Sequence, residues 1–183
     1  MRIVGGEARG RTLKAVPGEA TRPTADRVRQ SLFDLLGQRC DGLAVLDLYA
    51  GTGALALEAL SRGAARAVLV ESAQAAALVI EENIKALRFE LRARLLRQDV
   101  TRALEALARR GERFDLVFSD PPYALRAAQA TLDAVVRHGL LAPGGRLVLE
   151  SAKAEPEPTP PEGFAIDDQR SYGDTAITVL VRP

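Results

Sequence analysis

The segment 44–63 constrains the fold more than any other part of the chain. Residues 44–49 form a nearly continuous apolar run, which leads directly into Gly51 and Gly53. An alanine- and leucine-rich stretch follows and stops at Gly63, a residue type that suits the position just beyond a helix end. A short apolar run is typical of a strand buried on both faces of a parallel sheet. The segment therefore predicts a buried strand, a tight turn and a helix.

The alternation of strand and helix continues along the chain to residue 150. The other strand-like apolar runs, separated by stretches with helical spacing, lie at residues 67–70, 94–97, 114–119 and 146–150. Two final strands, at 165–172 and 175–182, are joined by a turn too short for a helix, so they must pair antiparallel. The pattern predicts a Rossmann-like, doubly wound α/β fold of seven mostly parallel strands with one reversed edge strand.

The first 20 residues lie outside this alternation. Residues 2–4 and 12–16 predict a basic β-hairpin that extends the single domain of residues 1–183, and a helix follows it. Residues 1–30 carry a charge of +4, whereas the whole chain carries +1. A basic arm on a mildly acidic body can contact phosphate, although a solvated surface hairpin explains the same charges equally well.

Composition excludes several classes of protein. The chain has 183 residues, of which 47% are apolar and 27% charged, as in one globular domain. No apolar run approaches the roughly 18 residues that span a bilayer, and no secretory signal is visible, so we expect a cytoplasmic protein without membrane contact. Cys40 is the single cysteine, which excludes an internal disulfide and a thiolate metal cluster. We expect a monomer without a bound metal.

Acidic residues accompany three successive strands at the edge where a doubly wound sheet binds ligands. Glycines after the first strand let a ligand lie against the backbone, and the next helix begins with N–H groups that favour a carboxylate. Glu71 is placed to accept both hydroxyls of a ribose, and Asp99 to accept from an adenine amino group beside the Val100 backbone. We predict an S-adenosylmethionine site formed by Asp47, Tyr49, Gly51, Gly53, Glu71, Asp99 and Val100.

A dinucleotide site is the competing interpretation of the same glycines. Residues 51–56 also satisfy the pattern G-x-G-x-x-A, and Glu71 follows about 20 residues later, as in nicotinamide enzymes. Asp47 favours the methyltransferase, because a carboxylate beside the loop suits a cationic α-amino group and repels pyrophosphate. A tight turn that binds nothing is the third interpretation.

The segment Asp120-Pro121-Pro122-Tyr123 ends the fourth strand and predicts a catalytic corner. An exocyclic amine on a base is a poor nucleophile, because its lone pair is delocalised into the ring. Two acceptors, the Asp120 carboxylate and the Pro121 carbonyl, would grip its hydrogens and favour a pyramidal nitrogen. Neither proline has an N–H that would oppose this grip. Tyr123 can stack on the base, whereas a loop with a partly buried ring is the structural alternative.

Four segments together resemble the RsmD family, bacterial methyltransferases of guanine N2 in small-subunit (16S) ribosomal RNA. The resemblance covers nearly the whole chain. Its segments are Arg22-Pro23-Thr24 with Arg27 and residues 31–34, residues 47–53, residues 120–123 and residues 170–175. The second and third segments are shared by many amino-methyltransferases, whereas the first and last segments are much more specific to this family.

The resemblance implies a class I methyltransferase fold, guanine as the target base and ribosomal RNA or a small-subunit assembly particle as the partner. It also implies that Arg22 and Thr24 lie over the cofactor or target-base pocket and that the hairpin touches RNA. The residues expected to contact RNA are Arg2, Arg9, Arg11, Lys14, Arg22, Thr24 and Pro122.

Three other functions use similar residues. An adenine-N6 methyltransferase of DNA or RNA would have the same corner, although 183 residues leave little room for a target-recognition domain. A glutamine-methylating enzyme would usually have Asn at position 120. A non-enzymatic RNA-binding assembly factor would not need Asp120 beside two prolines.

Overall fold

A seven-stranded sheet with helices on both faces runs through the computed structural model, which describes residues 1–18, 23–121 and 127–183, with the backbone alone for 23–25. The strands are β1 Ala44–Leu48, β2 Arg66–Val70, β3 Ala93–Leu96, β4 Phe114–Ser119, β5 Leu141–Ala152, β6 Ala165–Tyr172 and β7 Thr175–Val181. The helices are α1 Pro23–Leu35, α2 Ala54–Ser61, α3 Gln74–Leu87, α4 Val100–Arg109 and α5 Ala128–Arg137. Within this described part, no helix is long and apolar enough to cross a bilayer.

The strand order is β3-β2-β1-β4-β5-β7-β6, and strands β1 to β5 are all parallel. The chain moves outward from β1 to β3 and then returns to add β4 on the other side of β1. The order therefore reverses between β1 and β4, where parallel sheets of this type open a ligand crevice beyond the carboxyl ends of their strands. The predicted doubly wound, mostly parallel fold is confirmed.

The sequence predicted that the reversed strand lies at the edge of the sheet, but in the structure it lies inside the sheet. Strand β7 pairs antiparallel with both β5 and β6, so β6 is the edge strand. Burial explains this order, because the apolar β7 has buried Ile177, Val179 and Leu180 whereas β6 is largely exposed. Charged residues such as Asp168 and Arg170 suit an exposed edge, where they oppose pairing with another chain.

Two other local predictions differ from the structure in extent. The hairpin of residues 2–16 is present but short, with one antiparallel bridge, between Arg2 and Thr12, and a few backbone hydrogen bonds beside it. Side chains of α2 accept the N–H groups of Val4 and Ala8. Strand β5 begins at Leu141, before the predicted start at residue 146, and runs through residues 143–145, where Pro143, Gly144 and Gly145 would suit a turn. Its register with β4 jumps between Leu141 and Arg146, so those turn residues form a bulge within the strand.

The core has two layers, one on each face of the sheet. Helices α1, α2 and α3 cover one face, on which the rings of Phe33 and Phe118 lie 5.8 Å apart. Helices α4 and α5 cover the other face with residues such as Leu104 and Leu132. The sheet is buried on both sides, which explains the continuous apolar runs of its central strands.

A buried ion network anchors the N-terminal arm, residues 1–18, to the first of these layers. The carboxylate of Glu58 has no exposed surface and lies 3.3 Å from Arg29 Nε and 2.8 Å from Arg62 Nε. It also accepts the Val4 N–H at 2.9 Å, while Arg29 contacts the carbonyl of Arg2. Arg29 therefore contributes to the positive charge of residues 1–30 but neutralises a buried carboxylate, as buried charges require.

Candidate active site

A crevice of about 1260 Å³ opens at the carboxyl ends of β1 and β4. The structure brings four predicted site residues together in its lining: Asp47, Tyr49, Gly51 and Asp120. The other walls come from the N-terminal arm, from α1 and from the turn between β6 and β7. The crevice lies where the strand order reverses, as expected for this class of sheet.

Asp47 lies at the base of the crevice with 2% of its surface exposed. Its Oδ2 accepts the N–H of Ala56 at 3.1 Å, which joins β1 to the first turn of α2. Burial, together with the negative charges of Asp120 and Glu71, raises the pKa of Asp47 to about 8. The buried carboxyl therefore takes up a proton near neutral pH unless a cation compensates its charge.

The two predicted glycines have different roles. Both adopt left-handed conformations, with φ of +56° at Gly51 and +78° at Gly53. A Cβ at Gly51 would meet nothing within 4 Å, whereas one at Gly53 would lie 2.9 Å from Leu69 Cδ2. A side chain at Gly53 would therefore press against buried Leu69, whereas Gly51 leaves bare backbone facing the crevice.

Tyr49 and Glu71 support the loop that carries these glycines. Tyr49 has a φ of +60°, and its hydroxyl lies 3.2 Å from Thr131 Oγ1 on α5. Glu71 Oε2 accepts the Gly51 N–H at 2.9 Å, and its Oε1 accepts the Ala73 N–H at 2.8 Å. Glu71 therefore braces the loop from the end of β2, and its contact with a ribose stays a prediction.

Asp99 and Val100 lie outside the lining of the crevice. Asp99 is exposed and caps α4, because its Oδ1 accepts the Arg102 N–H at 3.1 Å. Its Oδ2 also pairs with Arg102 Nε at 3.3 Å. Asp99 thus has a local structural role as a helix cap, and Val100 packs against the core on the face of the sheet that α4 covers. The contact of these residues with an adenine ring stays a prediction.

Asp120 follows β4, lines the crevice and keeps exposed surface. Partial desolvation of its carboxyl group raises the pKa of Asp120 to about 7, and the nearby carboxylate of Glu150 contributes to that increase. Ser119 pairs with Leu149, so Asp120, just after β4, lies next to Glu150 within β5, although the sequence predicted that β5 ends at Glu150. Glu150 was absent from the predicted site, although the rule that placed Asp99 and Glu71 at strand ends would have found it.

Four expected contacts cannot be located. Arg22, Pro122 and Tyr123 lie outside the described residues, as does the side chain of Thr24. Pro121 is the last described residue before this gap and is buried. Of the predicted catalytic corner, the structure describes Asp120 and Pro121.

A family model described as Conserved hypothetical protein 95 matches residues 1–181. The chain belongs to this family, the RsmD family. It is 36% identical to the putative rRNA methyltransferase YlbH of Bacillus subtilis, covering 98% of this chain and 97% of that protein. It is 34% identical to the ribosomal RNA small subunit methyltransferase D of Escherichia coli K12, covering 100% and 90%.

A solved structure supports the same fold. The putative methyltransferase yhhF from Escherichia coli superimposes with a TM-score of 0.87 at 31% identity, covering 100% of this chain and 97% of that one. The RsmD family model includes the N-terminal arm and extends to the end of β7, the last strand along the chain. The predicted class I methyltransferase fold is therefore confirmed.

The narrow motif near the C-terminus of this RsmD-family chain closes one side of the crevice. Tyr172 at the end of β6 places its hydroxyl 2.7 Å from Ser31 Oγ on α1. Gly173 and Asp174, in the following turn, line the crevice. Tyr172 therefore joins two walls of the crevice. Arg170 instead pairs with Asp168 on the exposed edge strand.

The basic side chains of the arm lie on the surface. Arg2, Arg9, Arg11 and Lys14 are all exposed. Arg11 Nη2 donates to the carbonyl of Ala86 at 2.5 Å, and Lys14 Nζ pairs with Glu82 at 3.1 Å. Both contacts place the arm along α3, beside the crevice that Met1, Ala15 and Val16 help to line.

Proposed function

We propose that this protein transfers a methyl group from S-adenosylmethionine to the exocyclic N2 amine of a guanine in small-subunit ribosomal RNA. One observation carries the proposal. The buried carboxyl of Asp47 and the carboxyl of Asp120 line the same crevice, together with the bare backbone of the loop at Gly51. A cationic cofactor fits the first group, and an amine substrate fits the second.

The site suits the charge of S-adenosylmethionine, which carries an ammonium and a sulfonium. Asp47 has a raised pKa because it is buried beside other carboxylates, and a bound ammonium would supply the compensating charge. The Ala56 N–H is bound by Asp47, but the N–H groups of Ala54 and Leu55, which begin α2 beside the crevice, have no partner within the helix and can bind the carboxylate of the same ligand. Gly51 leaves space for the ligand against the backbone. When bound, this cofactor supplies an electrophilic methyl group.

Asp120 and Pro121 provide the acceptors that an exocyclic amine needs. The Asp120 carboxylate and the Pro121 carbonyl would accept its two hydrogens and concentrate the lone pair on nitrogen. The nitrogen is cationic after transfer and readily loses a proton, which a carboxyl with a pKa of about 7 can accept and pass to water. Most of the rate enhancement then comes from positioning, an effect that reaches roughly 7–11 kcal/mol.

The choice of ribosomal RNA and of guanine N2 rests on the family. The two relatives above are named as ribosomal RNA methyltransferases, one of them of the small subunit. The exposed cations Arg2, Arg9, Arg11 and Lys14 beside the crevice suit the phosphates that flank a target base. Such a base must leave its stack to enter the crevice, which costs least in loops and bulges.

Mass spectrometry of nucleosides tests the proposal directly. Unmodified small-subunit RNA, both protein-free and assembled into subunits, is incubated with the protein and isotopically labelled S-adenosylmethionine. We expect labelled N2-methylguanosine from one or both substrates, no product with Asp120→Ala, and normal product with the surface control Glu105→Ala.

Two outcomes would contradict the proposal. Labelled N6-methyladenosine would identify an adenine methyltransferase with the same amine-binding corner. Binding of RNA without any labelled nucleoside would favour a non-enzymatic assembly factor.

A further inference from the structure

One buried side chain, that of Asn83, joins the N-terminal arm to the glycine loop. Asn83 lies within α3 and has 1% of its surface exposed. Its Oδ1 accepts the Lys14 N–H at 2.7 Å, and its Nδ2 donates to the Lys14 carbonyl at 3.1 Å. The same Nδ2 donates to the carbonyl of Thr52 at 3.0 Å. A single amide therefore holds a residue from each segment.

The chemistry of this position requires an amide. Lys14 presents a backbone N–H donor and a backbone carbonyl acceptor, so its partner must offer one acceptor and one donor. The side-chain amide of Asn83 has both, and its oxygen must face the Lys14 N–H. Asn83 occupies the buried face of α3, between Ile80 and Ile84, where an apolar residue would favour helix and core. A polar residue thus lies where packing alone would favour an apolar one.

Another contact connects the same two segments, because Met1 Sδ lies 3.6 Å from Thr52 Oγ1. Val16 of the arm also packs against Ala76 and Val79 of α3. Met1, Val16 and Thr52 all line the crevice. The arm and the loop are therefore adjacent walls of one site, and Asn83 is the buried hydrogen-bonding link between them.

We infer that Asn83 is a positioning residue that couples the N-terminal arm to the glycine loop. A ligand that orders the loop at Thr52 then also orders the arm at Lys14, and a ligand on the arm tightens binding at the loop. This inference rests on the proposed function, which provides the cofactor at the loop and RNA phosphates at the arm. Coupling between two binding sites is reciprocal, so either ligand can be used to detect it.

Hydrogen exchange with S-adenosylhomocysteine as the probe measures this coupling without RNA or turnover. Calorimetry first establishes saturation of each variant. In the wild-type protein, we expect saturating probe to slow exchange at least threefold both in the loop peptide around residues 49–57 and in the arm peptide around 11–18. In Asn83→Ala, the loop peptide should still be slowed, whereas the arm peptide should exchange at the same rate with and without the probe.

Two further variants separate coupling from stability. Asn83→Asp keeps the acceptor for the Lys14 N–H but places a carboxylate oxygen against the Thr52 carbonyl, so it too should lose protection of the arm. Ile84→Ala removes a buried neighbour in the same helix and should keep that protection, although it lowers the melting temperature.

The outcomes distinguish the inference from the function on which it rests. Protection of the arm in both Asn83 variants at the wild-type level, or its absence in the wild-type protein with probe bound, would overturn the coupling. Failure of the probe to bind the wild-type protein at all would overturn the proposed cofactor site and the coupling with it.

Discussion

The carboxyl groups of Asp47 and Asp120 approach one crevice from adjacent parallel strands, and the charge of Asp120 helps to raise the pKa of Asp47. Two acidic groups in one partly enclosed space are unfavourable in the absence of a cation. The arrangement is therefore adapted to a positively charged ligand, and it makes the protonation of both groups sensitive to what is bound.

Cofactor binding should release protons near neutral pH. Asp47 has a pKa of about 8 in the ligand-free protein, so it is mainly protonated at pH 7, whereas a bound ammonium favours the carboxylate. Affinity for S-adenosylhomocysteine should rise between pH 6 and 7.5. Calorimetry in buffers of different ionisation enthalpy would measure the protons released.

Asp47→Asn is the matched control for this prediction. The variant should bind the probe more weakly and release fewer protons. Because the unfolded carboxyl ionises near pH 4 and the folded one near 8, the wild-type protein loses stability as pH rises between these values. Without bound ligand, Asp47→Asn should therefore be more stable than the wild-type protein at pH 7.5, because the amide does not ionise. Equal proton release by the variant would contradict the assignment.

Methyl transfer should lose rate below about pH 7. Protonation of Asp120, whose pKa is about 7, removes an acceptor from the target amine. Single-turnover rates at saturating cofactor should therefore fall toward tenfold per pH unit on the acidic side. Asp120→Asn should be slower and lack this acidic limb. Glu150→Gln should move the limb to lower pH, because it removes a negative charge that raises the pKa of Asp120.

Substitutions at the two loop glycines should separate binding from folding. Gly51→Ala places its methyl group in open crevice, so it should weaken S-adenosylhomocysteine binding at least tenfold with a modest loss of stability from its positive φ. Gly53→Ala adds a contact of 2.9 Å with Leu69 and should lower the melting temperature more. Calorimetry and melting curves on both variants test this, and the reverse order of stability loss would be inconsistent with the structure.

RNA affinity should depend on salt through the arm. Each phosphate contact contributes a slope of about 0.7–0.9 in log affinity against log salt, so Arg9→Ala with Arg11→Ala should reduce the slope by about one to two. The probe is protein-free small-subunit RNA, measured by filter binding across a salt series. Affinity for S-adenosylhomocysteine should change little.

The control for the arm is a second arginine pair on the opposite face of the sheet. Arg109 and Arg110, at the end of α4, are also exposed, and their replacement by Ala should leave the salt slope unchanged. An equal effect of the two pairs would show that the arm has no special role. A fall in melting temperature with an unchanged slope would show that Arg11 serves only to hold the arm on α3.

The sequence by itself determined the succession of strands and helices, the glycine loop and the acidic strand ends. These features are local, because apolar spacing specifies each element and the carboxyl ends of parallel strands must share one edge. Asp47, Tyr49, Gly51 and Asp120 could be placed together for that reason. Glu150 was equally accessible to this argument.

Only the tertiary structure decided features that depend on partners distant in the chain. It placed β7 inside the sheet, buried Arg29 against Glu58, and left Asp99 as a helix cap outside the crevice. It also joined Asn83 to Lys14 and Thr52, which are separated from it by 69 and 31 residues. No local pattern encodes such pairings, because a buried polar group is satisfied by whichever partner the packed fold brings within reach.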